Sequence, residues 1–259
     1  MPGVHIFGLM IRIFDLGMKR TLKELSTFIG VWLIYAISLI CLLLSKGYYD
    51  SFLFLNAIRF SWADILMPHV THLGEGVFLA MLFSFWILNK DRPLVNSLLV
   101  ALISVGLLLF CLKQFVFFAW HRPPKVYENL QEIYFISLGK EKYKSFPSGH
   151  STAIWMLMSL IAFYAGRRRK PIQIACAILA GLVAFSRVYI GVHFPGDILV
   201  GSFLGIFLST LVLSFHYPVM QKRAEEDRLN KAWKNHLLIA FLIFLFVSSL
   251  IRMYFEYYA

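Results

Sequence analysis

Seven long apolar runs constrain this chain more than any other feature of its sequence. They cover roughly residues 25–45, 73–89, 94–119, 148–166, 171–190, 197–216 and 235–255. Most approach the ~20 residues that a helix needs to cross ~30 Å of hydrocarbon. Composition points the same way. Of 259 residues, 59% are hydrophobic, 17% aromatic and only 15% charged, whereas a soluble domain is about 45–50% apolar and about 25% charged. So few charges cannot cover a soluble globule, and so many aromatics exclude a disordered chain. The expected fold class is all-α, a polytopic membrane helix bundle.

Residues 1–24 hold a short apolar stretch interrupted by Arg12 and Asp15. Without a basic start or a small-residue cleavage site it reads as an interfacial amphipathic segment rather than a signal peptide. Residues 48–72 are apolar but broken by Asp50, Arg59, Asp64 and Pro68, and read as interfacial too. The net charge is +11. Orientation explains part of it, and nucleic acid is not an expected partner. Of the 25 Lys and Arg, 15 fall on the side holding the N-terminus and residues 89–93, 166–171 and 217–234, against 10 on the other. The richer side is expected to be cytoplasmic. Cys41, Cys111 and Cys176 all lie in apolar runs and are expected to be buried thiols rather than a disulfide framework or a metal site.

Ionisable groups near span ends need a reason, since a charge at a helix centre costs about 2.5–3.5 kcal/mol on insertion scales. Here they gather on the side opposite the basic turns. Lys113, Arg122 and Arg187 offer three permanent positive charges, two of them forks suited to phosphate oxygens. Ser148 and Gly149 open the fourth run, where free N–H groups at a helix start favour an anion. His193 and Asp197 stand four apart around Pro195, which suits a first helical turn. The carboxylate can then hold the Nδ1 proton of His193 and leave Nε2 as a nucleophile. His150 is placed to protonate a leaving oxygen.

With these residues the sequence resembles the type 2 phosphatidic acid phosphatase family, the integral-membrane lipid phosphate phosphatases. Two of the three family motifs match in full: Pro147-Ser148-Gly149-His150, then Ser186-Arg187, five residues, His193, three residues and Asp197. The first motif is a lysine, six residues and Arg-Pro. Here eight residues separate Lys113 from Arg122-Pro123, and a chain break near Trp120-His121 is expected to restore their convergence. The resemblance covers about residues 110–216. It implies a phosphohistidine at His193, His150 as acid and then base, and no metal or other cofactor. It also implies a six-helix core over residues 25–216. Residues 217–234 are then a cytoplasmic basic linker and residues 235–259 an additional C-terminal transmembrane helix.

The implied substrate is a membrane lipid phosphate, a monoester or pyrophosphate such as phosphatidic acid, phosphatidylglycerol phosphate, undecaprenyl pyrophosphate or a lipid A phosphate. The site would face outward from a bacterial inner membrane. A phosphotransferase using the same phosphohistidine and a non-catalytic membrane protein are the rival readings. His69, His72 and Glu75 share a helical spacing but read as structural rather than metal-binding. Lys140, Lys142 and Lys144 read as a solvated basic loop edge. Trp120, Tyr127, Tyr134, Tyr257 and Tyr258 read as interfacial aromatic belts.

Overall fold

The computed structural model describes residues 15–128, 135, 142–167, 169–226, 239, 242–243 and 245–248. Among them every regular element is helical. Helix α1 (15–24) runs through a turn at Leu25 into α2 (Ser26–Asn56). Helix α2 is about 45 Å long, more than one membrane thickness, and bends at Gly47, whose φ of +80° favours glycine over any other residue. The kink falls two residues after the first apolar run ends. Beyond it the helix continues and buries Ser51, Phe52 and Asn56. Residues 48–72, read as interfacial, are therefore helical on both sides of a short break at 57–60.

Helices α3 (Ser61–His72) and α4 (Gly76–Ile87) form a pair bent by 64°. The second apolar run is thus the later limb of an elbow. Asp91 accepts a hydrogen bond from the Leu94 N–H at 3.0 Å and caps α5 (Arg92–Cys111). That helix widens into a π turn at Leu112–Val116. A short α6 (Pro123–Val126) follows. Helix α7 (Gly149–Ala165) is capped by the Ser148 side chain and is buried along most of its 17 residues. Helices α8 (Lys170–Tyr189) and α9 (Pro195–Leu211) complete the core. A second π turn at Val212–His216 joins α9 to α10 (Tyr217–Glu226).

The centre of the bundle is the α7–α9 seam. A Cβ at Gly201 would stand 2.7 Å from the Ser148 carbonyl oxygen, and one at Gly205 would stand 2.4 Å from that of Thr152. Two glycines four apart therefore let the backbones touch. Ser159 Oγ donates to Ser209 Oγ at 2.6 Å across the same seam. This contact sets how the N-termini of α7 and α9 meet, and the chemistry-bearing residues sit at those ends.

Among the described residues, four continuous helices are long and apolar enough to cross a membrane, or five with the α3–α4 elbow counted as one span. The expected seven runs reduce to this number for two reasons. Helix α7 is short and enclosed by its neighbours, and most of the last run lies outside the described residues. The part that is described packs inward, with Leu242 buried and the Phe246 ring 5.4 Å from that of Phe78. Residues 1–14 and 227–234 lie outside the description. Within the supposed linker, residues 217–226 continue a helix.

Of the three cysteines only Cys176 is buried; Cys41 and Cys111 are exposed on the bundle surface. A long apolar run says that a residue sits in a span but not which face it takes.

Candidate active site

One end of the bundle gathers six segments. The Ser148 N–H donates to the Asp197 carbonyl oxygen at 3.1 Å, locking the start of α7 onto the start of α9. The loop between α8 and α9 closes tightly, since the Val192 and His193 N–H groups both donate to the Arg187 carbonyl oxygen at 3.0 and 3.2 Å. Glycine is required there at Gly191, whose φ is +85°. These bonds fix Arg187, His193, Asp197, Ser148, Gly149 and His150 at one end.

Asp197 is fully buried and surrounded by donors. Its Oδ1 accepts from the Tyr48 hydroxyl. Its Oδ2 accepts from Ser145 Oγ at 2.5 Å, from the Phe194 N–H at 3.0 Å and from His193 Nδ1 at 3.0 Å. A buried carboxylate with four donors cannot turn, so it fixes the His193 ring and its tautomer. With the proton on Nδ1, Nε2 carries the lone pair. Ser145 Oγ lies 3.4 Å from the same Nδ1.

His193 lies outside the spans and is itself buried. Burial, followed by the charges of Arg122, Arg187, Lys113 and His150, holds its pKa well below the usual imidazole value. The imidazole is therefore neutral at neutral pH, the form a nucleophile needs. The same electrostatic neighbours show that the structure brings the predicted cations and both histidines together.

Lys113 is the informative case. It sits in the π turn, which absorbs extra length by forming i→i+5 bonds, as in the 2.8 Å bond from the Phe117 N–H to the Leu112 carbonyl oxygen. The helix breaks at residues 117–119, a little earlier than expected. Lys113 Nζ then donates to the Lys144 carbonyl oxygen at 3.0 Å, and Arg122 Nε donates to that of Tyr143 at 3.0 Å. Residues 142–145 run beside 120–122, with the Arg122 N–H donating to Lys142 and the Ser145 N–H to Trp120. Both cations are thus pinned to neighbouring carbonyls despite the eight-residue gap.

The α3–α4 elbow supports the opposite side. Thr71 Oγ1 accepts from Arg187 Nη1 at 2.7 Å. A Cβ at Gly74 would come within 2.9 Å of the His150 Cβ and Cδ2 atoms, so only glycine lets the elbow approach.

Four contributors were not anticipated from the sequence: Tyr48, Ser145, Thr71 and Gly74. Trp120, expected in an aromatic belt, donates its Nε1 proton to the Tyr48 hydroxyl at 3.0 Å. Tyr127, also expected there, is buried, with its hydroxyl donating to the Tyr49 carbonyl oxygen and its ring stacked on Phe52. Of the basic loop, Lys142 pairs with Glu128 at 2.7 Å. Lys125 and Lys142 together pull the Glu128 pKa down to about 2. Lys140, Tyr134, Tyr257 and Tyr258 lie outside the described residues. His72 Nδ1 stands 3.4 Å from Glu75 Oε1, and among the described residues no three His, Cys, Asp or Glu side chains are placed to hold a metal ion.

A cationic site around a carboxylate-braced histidine, at the end of an apolar helix bundle, defines a class: the membrane-embedded phosphatases. The comparisons carry this further. The sequence profile of the PAP2 superfamily matches residues 93–221. Phosphatidylglycerophosphatase B of Bacillus subtilis is 31% identical over 179 residues, covering 64% of this chain and 81% of that protein. Sphingosine-1-phosphate phosphatase 1 of Rattus norvegicus is 31% identical over 176 residues, and there the match spans 65% of this chain but only 37% of that protein. Among solved structures, Aquifex aeolicus LpxE superposes with a TM-score of 0.56 at 26% identity, over 65% of this chain and 95% of that one. The chain belongs to the PAP2 superfamily. The relatives it matches are phosphatases or diphosphatases by name, and this chain is a lipid phosphatase of that family.

Proposed function

We propose that the chain hydrolyses the phosphate monoester or pyrophosphate of a membrane lipid through a phosphohistidine on His193, without a metal or other cofactor. The observation that carries the reading is the His193 Nδ1 to Asp197 Oδ2 contact of 3.0 Å, held by three further donors to the carboxylate. Nε2 attacks phosphorus while the bond to the lipid oxygen breaks, and His150 delivers a proton to that oxygen. Asp197 stabilises the cationic ring that results. Water, deprotonated by His150, then displaces the phosphate and regenerates His193. Lys113, Arg122 and Arg187, with the N–H groups at Ser148 and Gly149, hold the phosphate oxygens and offset the charge that builds on them.

The lipid tail stays among the helices while the headgroup enters this end. Relatives act by name on phosphatidylglycerophosphate, lipid A and undecaprenyl diphosphate, and the candidate substrates are phosphatidic acid, phosphatidylglycerol phosphate, undecaprenyl pyrophosphate and lipid A phosphates. Lys/Arg bias supports a cytoplasmic N-terminus and an outward-facing site in a bacterial inner membrane.

The test is phosphate release from those four lipids by the purified chain in detergent, with EDTA present and no acceptor alcohol. Rapid acid quench with labelled substrate should trap an acid-labile phosphoenzyme in the wild type and none in His193→Ala. The same substitution should lower turnover by at least about 10⁴-fold. Residual turnover near wild type, or a strict need for a divalent metal, would overturn the mechanism.

A further inference from the structure

The other end of the bundle holds a feature that the phosphatase reaction does not use. A cleft of ≈ 400 Å³ opens where the junction of α1 and α2 meets the turn between α7 and α8. Arg20, Lys23, Arg167, Arg169 and Lys170 line it, with Glu24 the sole acidic residue in the lining. Its volume falls within the ~300–1,000 Å³ typical of small-molecule sites. It lies beside the first turn of α8, whereas Arg187 lies in the last turn of that helix, about 25 Å away. It is therefore separate from the His193 site.

The cleft is built rather than a chance gathering of surface charge. Its floor is Gln173, buried and fully engaged. The Gln173 Oε1 atom accepts from the Phe28 N–H at 3.0 Å, and Nε2 donates to the Glu24 and Gly166 carbonyl oxygens at 2.7 and 3.1 Å. One amide thus ties the α1–α2 junction to the α7–α8 turn. At the rim, Glu24 Oε1 stands 2.8 Å from Arg167 Nη2 and 3.4 Å from Arg20 Nε. That carboxylate sets two guanidinium forks at one edge and leaves the cleft with a large cationic excess. Orientation charge requires only Lys and Arg near span ends. Lys222 and Arg223, exposed on α10 and outside the cleft lining, meet that need without any cavity.

We propose that this cleft is a second anion site that takes a phosphate group, carried by a phospholipid headgroup or free in solution. Guanidinium forks suit phosphate oxygens, and basic pockets between spans suit anionic headgroups. Bound there, the phosphate draws α1 and the α7–α8 turn together over the Gln173 floor.

The test uses the full chain in nanodiscs of phosphatidylcholine doped with phosphatidylglycerol, and native mass spectrometry to count retained phosphatidylglycerol. Arg169→Gln/Lys170→Gln should weaken retention of one lipid by roughly thirtyfold, each charge near the surface contributing about fivefold. Lys23→Gln, a single exposed change, should weaken it by about fivefold and serves if the double variant folds poorly. Arg169→Lys/Lys170→Arg should retain the lipid, and Lys222→Gln/Arg223→Gln should match the wild type. A second arm adds inorganic phosphate to lipid-free protein in detergent. A rise in melting temperature that Arg169→Gln/Lys170→Gln abolishes assigns free phosphate as the ligand; lipid retention without that rise assigns the headgroup. The proposal fails if the α10 control loses as much as the cleft variants, or if cleft variants alter neither readout.

Discussion

The two ends of the bundle carry the same kind of charge and treat it in opposite ways. At the His193 end, Lys113 and Arg122 are pinned to the carbonyl oxygens of Lys144 and Tyr143, and Arg187 is held by Thr71. At the α8 N-terminal end the cations are exposed, and a single carboxylate organises two of them. The first arrangement aligns donors before a ligand arrives, which is what stabilising a transition state requires. The second sets exposed charges around a fixed floor without pinning most of them to carbonyls, which suffices to retain an anion. Position along one helix therefore separates turnover from capture.

The comparison can be broken by substitutions that separate charge from geometry. After the loss of His193, the largest effect is expected for His150→Ala, which removes the proposed proton donor and should slow turnover by about 10²–10⁴-fold. Initial rates on phosphate esters with graded leaving groups should show the loss growing as the leaving group worsens; a uniform loss would reassign His150 to structure. Lys113→Ala should come next, at about 10²–10³-fold in kcat, with Lys113→Arg recovering only part. Full recovery by arginine would mean that this end, too, needs only charge.

Tyr48→Phe removes one of four donors to a buried carboxylate, worth about 1–3 kcal/mol. It should lower the melting temperature and moderately reduce kcat with KM little changed. An unchanged melting temperature would show that the Asp197 cradle does not depend on it. The smallest expected effect is a shift in pH dependence. In the proposed mechanism His193 must be neutral to attack, and its folded pKa lies below the usual imidazole value because of burial and nearby cations. The acid limb of kcat/KM should therefore fall below pH 6.5, and activity should be lost only as pH drops through that depressed value. Neutralising one contributor, as in Arg122→Gln, should move the limb upward. A limb that stays in place would show that its charge does not reach the ring.

Much of this was legible in the sequence because it is local. His193 and Asp197 meet because four residues with a proline between them form a loop and a first helical turn. Ser148, Gly149 and His150 are contiguous. The apolar runs locate most of the long helices. What escaped depends on distance or on irregular helix. Tyr48 reaches Asp197 from 149 positions away, across a kink that no periodicity encodes. Thr71 and Gly74 act through an elbow whose 64° bend the apolar pattern does not specify. The position of Lys113 was open because counting residues assumes regular helical rise, and the π turn abandons it.

That π turn also bears on how deep the site sits in a bilayer. Phe115, Val116, Phe118 and Trp120 are exposed along the turn and the break that follows, on the same short stretch as Lys113. The Trp120 ring is amphipathic and of the kind that settles at the headgroup level, whereas Phe115, Val116 and Phe118 are apolar and suit the hydrocarbon beside it. A hydrocarbon boundary crossing this stretch would put the lysine ammonium near the level of lipid phosphates, and the irregular turn would then act as a depth gauge for the chemistry beside it.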